Sequence, residues 1–299
     1  MSTAHPARVW NYWLGGRDYF AADRAAGEQM NRDFPHLVQI ARAERAFLVR
    51  AVRFLAGPAR IRQFLDVGAG LPAGGNTHEI AQRIAPDARI VYADNDPAVL
   101  VHARALLRNP MLASTPEGAV SYVDADLRDV AAVLAGAART LDLGRPVALI
   151  MLGVLGYIDD HGAARSITSQ LMDALPAGSY LAIADGVAGS GPVYAAQQRC
   201  DGAAPVPYHL RRPDQLASFF DGLDLIEPGV VPCPRWKPDA PGGAGGPGGA
   251  GGPGGAGGPP PGSAPDTGRS AGSGADRAAG PGGSPPDEPP VHCGMARKP

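Results

Sequence analysis

Asp66, Gly68 and Gly70 lie in the stretch FLDVGAGLPAGGNTHEIA, residues 64–81, where an apolar run ends in an acid and a glycine-rich loop leads into a helix-like segment. Glycine permits backbone angles and close approaches that a Cβ forbids, so such a loop leaves space for a ligand against bare main chain. Asn76 followed three residues later by Glu79 has the spacing of a capping box, which predicts a helix starting at Thr77 after an unusually long loop. Two more acids stand where later apolar runs end, Asp94 in ARIVYADND and Asp126 in VSYVDADL. Asp96 and Asp129 are read as solvated loop residues or helix caps.

Two ligand chemistries compete for this loop. Gly68, Gly70 and Ala73 match the dinucleotide spacing Gly-x-Gly-x-x-Ala, and Asp94 follows at about the right distance to meet a ribose. A diphosphate, however, must sit on a helix N-terminus, and extra carboxylates there repel it. S-adenosylmethionine carries a sulfonium and an ammonium against one carboxylate, so three acids converging on one crevice suit it better. Asp94 would accept both ribose hydroxyls in charge-assisted hydrogen bonds, each worth about 1.5–3 kcal/mol.

The elements that must position these residues are legible as alternation. From Ile61 onward, short apolar runs (IRQFLDVG, ARIVYADND, VSYVDADL, PVALIMLGV, SYLAIADG) alternate with helical ones (NTHEIAQRI, PAVLVHARALL, VAAVLAGAART, RSITSQLMDAL). This pattern implies a mostly parallel sheet with helices on both faces, and such sheets bind ligands at the C-terminal ends of their strands. Residues 1–57 read as a helical extension, with Ile40, Ala43, Phe47, Ala51 and Phe54 at helical spacing and Gly57 and Pro58 ending the run. DLIEPGVVPCPRW reads as a sixth strand with breaks. The closing VHCGMARKP is apolar enough to return and pair with LIEPGVV, which makes the long intervening segment a loop inside a hairpin.

That segment, residues 239–290, carries a proline-led Gly/Pro repeat with too little apolar mass for a core, and it is expected to be disordered. The expected organisation is therefore a helical cap over 1–57, an α/β domain over 58–238, the insertion over 239–290 and a returning strand over 291–299.

Composition excludes several functions. Lys plus Arg (27) nearly balance Asp plus Glu (29) with no basic block, against a dedicated nucleic-acid binder. The lysines are Lys237 and Lys298 alone, so there is no GKS/GKT phosphate loop, no Tyr-x-x-x-Lys pair and no core lysine for a Schiff base. Cys200, Cys233 and Cys293 are far apart, which suits reduced thiols rather than disulfides or a metal cluster, and no metal is expected. The N-terminus lacks a signal pattern and no apolar run reaches the roughly 20 residues of a membrane span, so the expectation is a cytoplasmic protein with a small-molecule partner.

With these motifs in place, the sequence resembles class I S-adenosylmethionine-dependent methyltransferases. DVGAG is similar to their acid-x-Gly-x-Gly motif, VYADNDP and VDADL to their second and third motifs, and LMDALPAGSYLAIAD to the helix, turn and fifth strand that follow. The whole chain apart from the insertion resembles the actinobacterial family called S-adenosyl methyltransferase, through ARVWNYWLGGRDYFAADR, FLDVGAGLP, PRWKPD and GMARKP. The resemblance implies an α/β, Rossmann-like, seven-stranded sheet, mostly parallel with an antiparallel last strand. It implies Asp66, Gly68 and Gly70 under the methionine part, Asp94 on the ribose, Asn95 by the adenine, and Asp126 with the Leu127 amide at the adenine edge. Glu44 and Gly156 depart from it, standing where an amide and a larger polar or aromatic residue are expected.

Methyl transfer is an in-line displacement that relies on positioning and exclusion of water, and a base is needed only if the acceptor must lose a proton. No catalytic residue is assigned; Tyr157, Asp159, Asp185 and His209 lie near strand ends or in loops and are candidates. NYWLGGRDYF places two glycines among aromatic and charged residues, which suggests a lid in which Tyr12, Arg17 and Tyr19 close over cofactor or acceptor. The alternative is a helix corner with Trp10 and Trp13 in the core. The functional alternatives are an NAD(P)-dependent oxidoreductase and a non-catalytic S-adenosylmethionine-binding protein.

Overall fold

The computed structural model describes residues 4–101, 118–189, 191–202, 206–237 and 288–299. The Gly/Pro-rich insertion lies outside these residues except for its last three positions, and the helix expected from Pro97 runs out of them after Val101.

Three helices open the chain: α1 (Pro6–Trp13), α2 (Ala21–Asp33) and α3 (Leu37–Ala56). Pro6 occupies the first turn of α1, where its missing N–H costs nothing. The α/β part follows as β1 (Gln63–Val67), α4 (Thr77–Ile84), β2 (Arg89–Asp94), β3 (Val120–Asp124), α5 (Val130–Ala137), β4 (Ala148–Leu152), α6 (His161–Asp173) and β5 (Tyr180–Gly186). The last elements are α7 (Pro192–Gly202), α8 (Pro213–Ala217), β6 (Asp224–Leu225), β7 (Val231–Pro232) and β8 (Val291–Arg297).

The sheet runs β3-β2-β1-β4-β5-β8-β6, with β7 also pairing β8. Pairs among β1 to β5 are parallel, whereas β8 is antiparallel to β5 and to both short edge segments. Eight segments thus fill seven positions, because β6 and β7 share one edge of β8. The expected sixth strand is split there by a turn through Glu227–Gly229, with a cis bond before Pro228.

The alternation of side chains along each strand divides the core in two. Phe64, Ile90, Ile150 and Ala182 face one side with α3 and α4, while Leu65, Val91, Leu149 and Leu181 face the other with α5 and α6. Helices therefore cover both faces. Strand β5 is buried along its whole length, as a central strand covered on both faces must be.

The buried stripe of α3 differs from the expected one. Leu37, Ile40, Ala41, Glu44, Phe47, Leu48, Ala51, Val52, Leu55 and Ala56 are buried, whereas Ala43 and Phe54 are only partly so. Helical periodicity places position 44 in the middle of the apolar face, and the residue there is an acid.

Candidate cofactor and acceptor site

A cavity of about 470 Å³ opens at the C-terminal ends of β1, β2 and β4. Its floor is the loop after β1. Gly68 (φ +74°) and Gly70 (φ +63°) are both in the left-handed region that glycine adopts freely. A Cβ at Gly68 would lie 2.5 Å from Val154 Cγ2, so this glycine is fixed by packing as well as by angle. At Gly70 a Cβ would meet nothing within 4 Å and would project into open space.

Asp66, buried at the end of β1, accepts a 2.6 Å hydrogen bond from Thr77 Oγ1 at the first residue of α4. Burial pushes its carboxyl up to about 6, against the lowering effects of Thr77 and Arg45. The N-terminus of α4 thus already faces a carboxylate. The helix begins at Thr77 as the spacing predicts, but the cap differs from a capping box. Asn76 Oδ1 accepts from Arg45 at 2.7 Å, and Glu79 accepts from the Gly75 amide (2.9 Å) and from Asn76 Nδ2 (2.6 Å). Arg45 from α3 also donates twice to the Gly74 carbonyl, tying the glycine loop to α3.

Asp94 ends β2. One carboxylate oxygen accepts from the Gly70 amide and the other from the Asp96 amide, both at 2.9 Å. Each oxygen has two lone pairs, so each keeps one acceptor position beyond these bonds. Burial raises this carboxyl, opposed by the two amides. Asp126 lies two residues beyond the end of β3, which stops at Asp124, and not at the strand end itself. Asn95 Nδ2 donates to Asp126 at 2.9 Å, and Asp126 also takes the Arg128 amide at 2.8 Å. Asp66, Gly68, Gly70, Asp94, Asn95, Asp126 and Leu127 all line the one cavity. Asp129, by contrast, caps α5 by accepting from the Ala132 amide.

The N-terminal segment forms a wall of this cavity through a face other than the one expected. His5, Pro6, Ala7, Trp10 and Leu14 line it, whereas Tyr12 and Tyr19 pack edge to face with centroids 5.0 Å apart. Tyr12 also reaches Glu28 on α2, and neither tyrosine nor Arg17 lines the cavity. Helical periodicity explains the difference, since Tyr12 is two residues from Trp10 and points away from it. The segment is nonetheless fastened to the glycine loop. Asn11 donates to the Pro72 carbonyl (3.0 Å) and accepts from the Asp18 amide (3.0 Å), and Gly16 packs against it so tightly that any Cβ would collide. At the rim, His5 Nδ1 stands 2.7 Å from Asp96 Oδ2.

Sequence reasoning did not single out Arg45, Arg128, Trp10 or His5 as cavity residues. Glu44 carried a usable signal, an acid amid an apolar helical stripe; the others are brought in by tertiary contacts between elements distant in sequence. Of the candidate bases, Tyr157 lines the cavity and Asp185 is buried at the end of β5. Asp159 and His209 are exposed. Gly156 is small because the Tyr208 ring lies where its Cβ would be.

Among the described residues no three His, Cys, Asp or Glu side chains are grouped to hold a metal ion, and no helix is long and apolar enough to cross a membrane.

An open, mostly parallel sheet with one antiparallel strand near its edge, helices on both faces and a glycine cradle beside acids at the strand ends defines the Rossmann-like methyltransferase fold. A sequence model described as S-adenosyl methyltransferase matches residues 1–251, and the chain belongs to that family. The crystal structure of a DUF574 family protein from Streptomyces avermitilis is 37% identical with a TM-score of 0.79, covering 99% of this chain and 98% of that one. A protein from Thermobifida fusca, described as a candidate methyltransferase, is 34% identical with a TM-score of 0.78 over 99% of this chain and 95% of its own. No curated protein matches the chain.

Proposed function

We propose that the protein transfers the methyl group of S-adenosylmethionine to a small-molecule acceptor. The observation that carries this reading is the joint formed by Asp94 and Gly70. A carboxylate held by two amides keeps acceptor positions for ribose hydroxyls, directly beside a glycine whose missing Cβ leaves room for the ligand.

The residues present fit that cofactor better than a dinucleotide. A diphosphate needs the N-terminus of α4, and there the Asp66 carboxyl already holds Thr77. Asp66, Asp94 and Asp126 surround a ligand of net positive charge favourably, while Arg45, which also lines the cavity, brings a positive charge to the side of its single carboxylate. When bound, the cofactor supplies an electrophilic methyl on sulfur. The chain's part is to hold it in line and keep water out, which the apolar wall of Pro6, Trp10, Leu14 and Leu48 favours. The near-neutral net charge of the chain, with no basic block, and the apolar wall of the cavity support a small acceptor rather than a nucleic acid.

Titration calorimetry with S-adenosylmethionine and with NAD tests the cofactor reading. The expected result is binding of the first and none of the second; the reverse would end the proposal. Transfer of tritium from methyl-labelled cofactor into small molecules of a cell extract tests turnover, and binding without transfer would mark a cofactor-binding protein instead.

A further inference from the structure

A second recess of about 70 Å³ adjoins the cavity. His5, Pro6, Trp10, Glu44, Tyr157 and Val206 line both spaces, so the two are separated by no more than these side chains. The inner walls are apolar, with Val9, Trp13, Met30, Leu37 and Ile40 from the three N-terminal helices. Polar groups interrupt them, Gln197 and Glu44 among them. Gln197 of α7 is 2% exposed, and its Oε1 has no hydrogen-bond partner. An amide oxygen left unsatisfied in such surroundings is costly, and a ligand donor would offset that cost.

Glu44 stands at the junction of the two spaces. It is 4% exposed, and its Oε2 would lie 2.9 Å from a Cβ at Gly153, the residue that follows β4. The ionisable groups around it are Asp185 of β5, Cys293 of β8 and Cys233 just after β7, with His5, Arg45 and Tyr157 on the same cavity wall. Burial first, and then Asp185 and Cys293, hold the Glu44 carboxyl well above the usual carboxylate range.

We propose that the recess receives the body of the methyl acceptor, a small apolar molecule bearing an O–H or N–H, and that Glu44 takes the proton this group gives up on methylation. The inference rests on the cofactor reading above. The step balances: the acceptor heteroatom bonds the methyl carbon, the carbon–sulfur pair leaves on sulfur, and the heteroatom's proton passes to a Glu44 oxygen. A sulfonium and a carboxylate become a thioether and a carboxylic acid, so two charges disappear together. A poorly solvating recess favours a step in which charge is lost. The same logic couples Glu44 to cofactor binding. An opposite charge brought near Glu44 favours its ionised form, so the sulfonium ligand should shift this carboxyl toward proton release.

The test is titration calorimetry of the whole protein near neutral pH, in buffers of differing ionisation enthalpy, with S-adenosylmethionine and with S-adenosylhomocysteine. Wild type is expected to release more protons with the sulfonium ligand than Glu44→Gln does, and no more than Glu44→Gln with the thioether ligand. This comparison subtracts the ligand's own amine. If Glu44→Gln does not fold, Glu44→Met takes its place, because the difference between the two ligands in wild type alone would include Asp66 and Asp94, whose carboxyls burial also raises. Binding of S-adenosylmethionine with equal proton release in both proteins overturns the role of Glu44 and leaves the cofactor reading intact; absence of binding by wild type overturns both. For the acceptor class, phenol and toluene are titrated into protein loaded with S-adenosylhomocysteine. Phenol is expected to bind at least tenfold more tightly, with Gln197→Leu reducing the preference. Equal binding of the two overturns the donor-bearing class.

Discussion

Replacing Asp94 by Ala isolates the contact on which cofactor recognition is argued to depend. The carboxylate accepts from the Gly70 and Asp96 amides, both at 2.9 Å, and keeps two further acceptor positions. Two charge-assisted bonds to ribose hydroxyls, at about 1.5–3 kcal/mol each, give a gross contribution of about 3–6 kcal/mol. Against this stands the cost of keeping the carboxylate ionised at a site where burial raises its proton affinity, a cost that alanine removes. A net loss of about 2 kcal/mol corresponds to roughly 30-fold in dissociation constant. Calorimetric titration of S-adenosylmethionine at about pH 8 measures it, with thermal unfolding as the control, because alanine also leaves the Gly70 and Asp96 amides without their acceptor. A folded Asp94→Ala protein whose dissociation constant stays within about threefold of wild type, roughly 0.6 kcal/mol, would refute the ribose assignment.

Further outcomes follow from the same geometry. Gly68→Ala and Gly70→Ala share a left-handed strain of about 1–2 kcal/mol, but only the first collides with Val154. Thermal melts should therefore show Gly68→Ala as clearly the less stable, and equal melting temperatures would contradict the packing argument. Asp66 is raised by burial, so its penalty to the folded state is full above about pH 6 and fades as pH falls through that value toward the ordinary carboxylate range. Asp66→Asn, which can still accept from Thr77, should stabilise the ligand-free protein by up to about 3 kcal/mol at about pH 8, since each pH unit between the ordinary carboxylate range and the raised value is worth about 1.4 kcal/mol. Little effect is expected at about pH 4, and a stability difference independent of pH would be inconsistent with a buried charge. Finally, Arg235 Nε and Glu288 Oε1 are 2.8 Å apart, so the ends of the described chain on either side of the insertion lie close together. Exchanging residues 239–287 for a Gly/Ser linker about eightfold shorter should stabilise the fold by about 1.8 kcal/mol, at roughly 0.6 kcal/mol per halving of length. Denaturant unfolding measures this, and loss of folding would mean that the insertion contributes contacts of its own.

The sequence by itself determined the layered sheet and pointed to the strand ends where the candidate cavity lies. Short apolar runs and helical-period patterns identify strands and helices with little regard to context, and a glycine-rich loop after an acidic strand end is a local feature. Even the returning strand was legible, because VHCGMARKP is apolar enough to require a partner. Other features were decided only when distant elements met. Tyr12, Arg17 and Tyr19 share a segment with Trp10, yet which face of α1 lines the cavity was set by the docking of α1 on α2 and α3. Gly156 looked like a missing side chain until the Tyr208 ring filled its place. Glu44 shows the boundary most clearly. Periodicity put an acid on a buried face, but only the fold set it beside Asp185 and Cys293, between two cavities. Local pattern fixes which way a side chain turns within its own element; what it then meets depends on long-range packing, where its desolvation and its chemistry are decided.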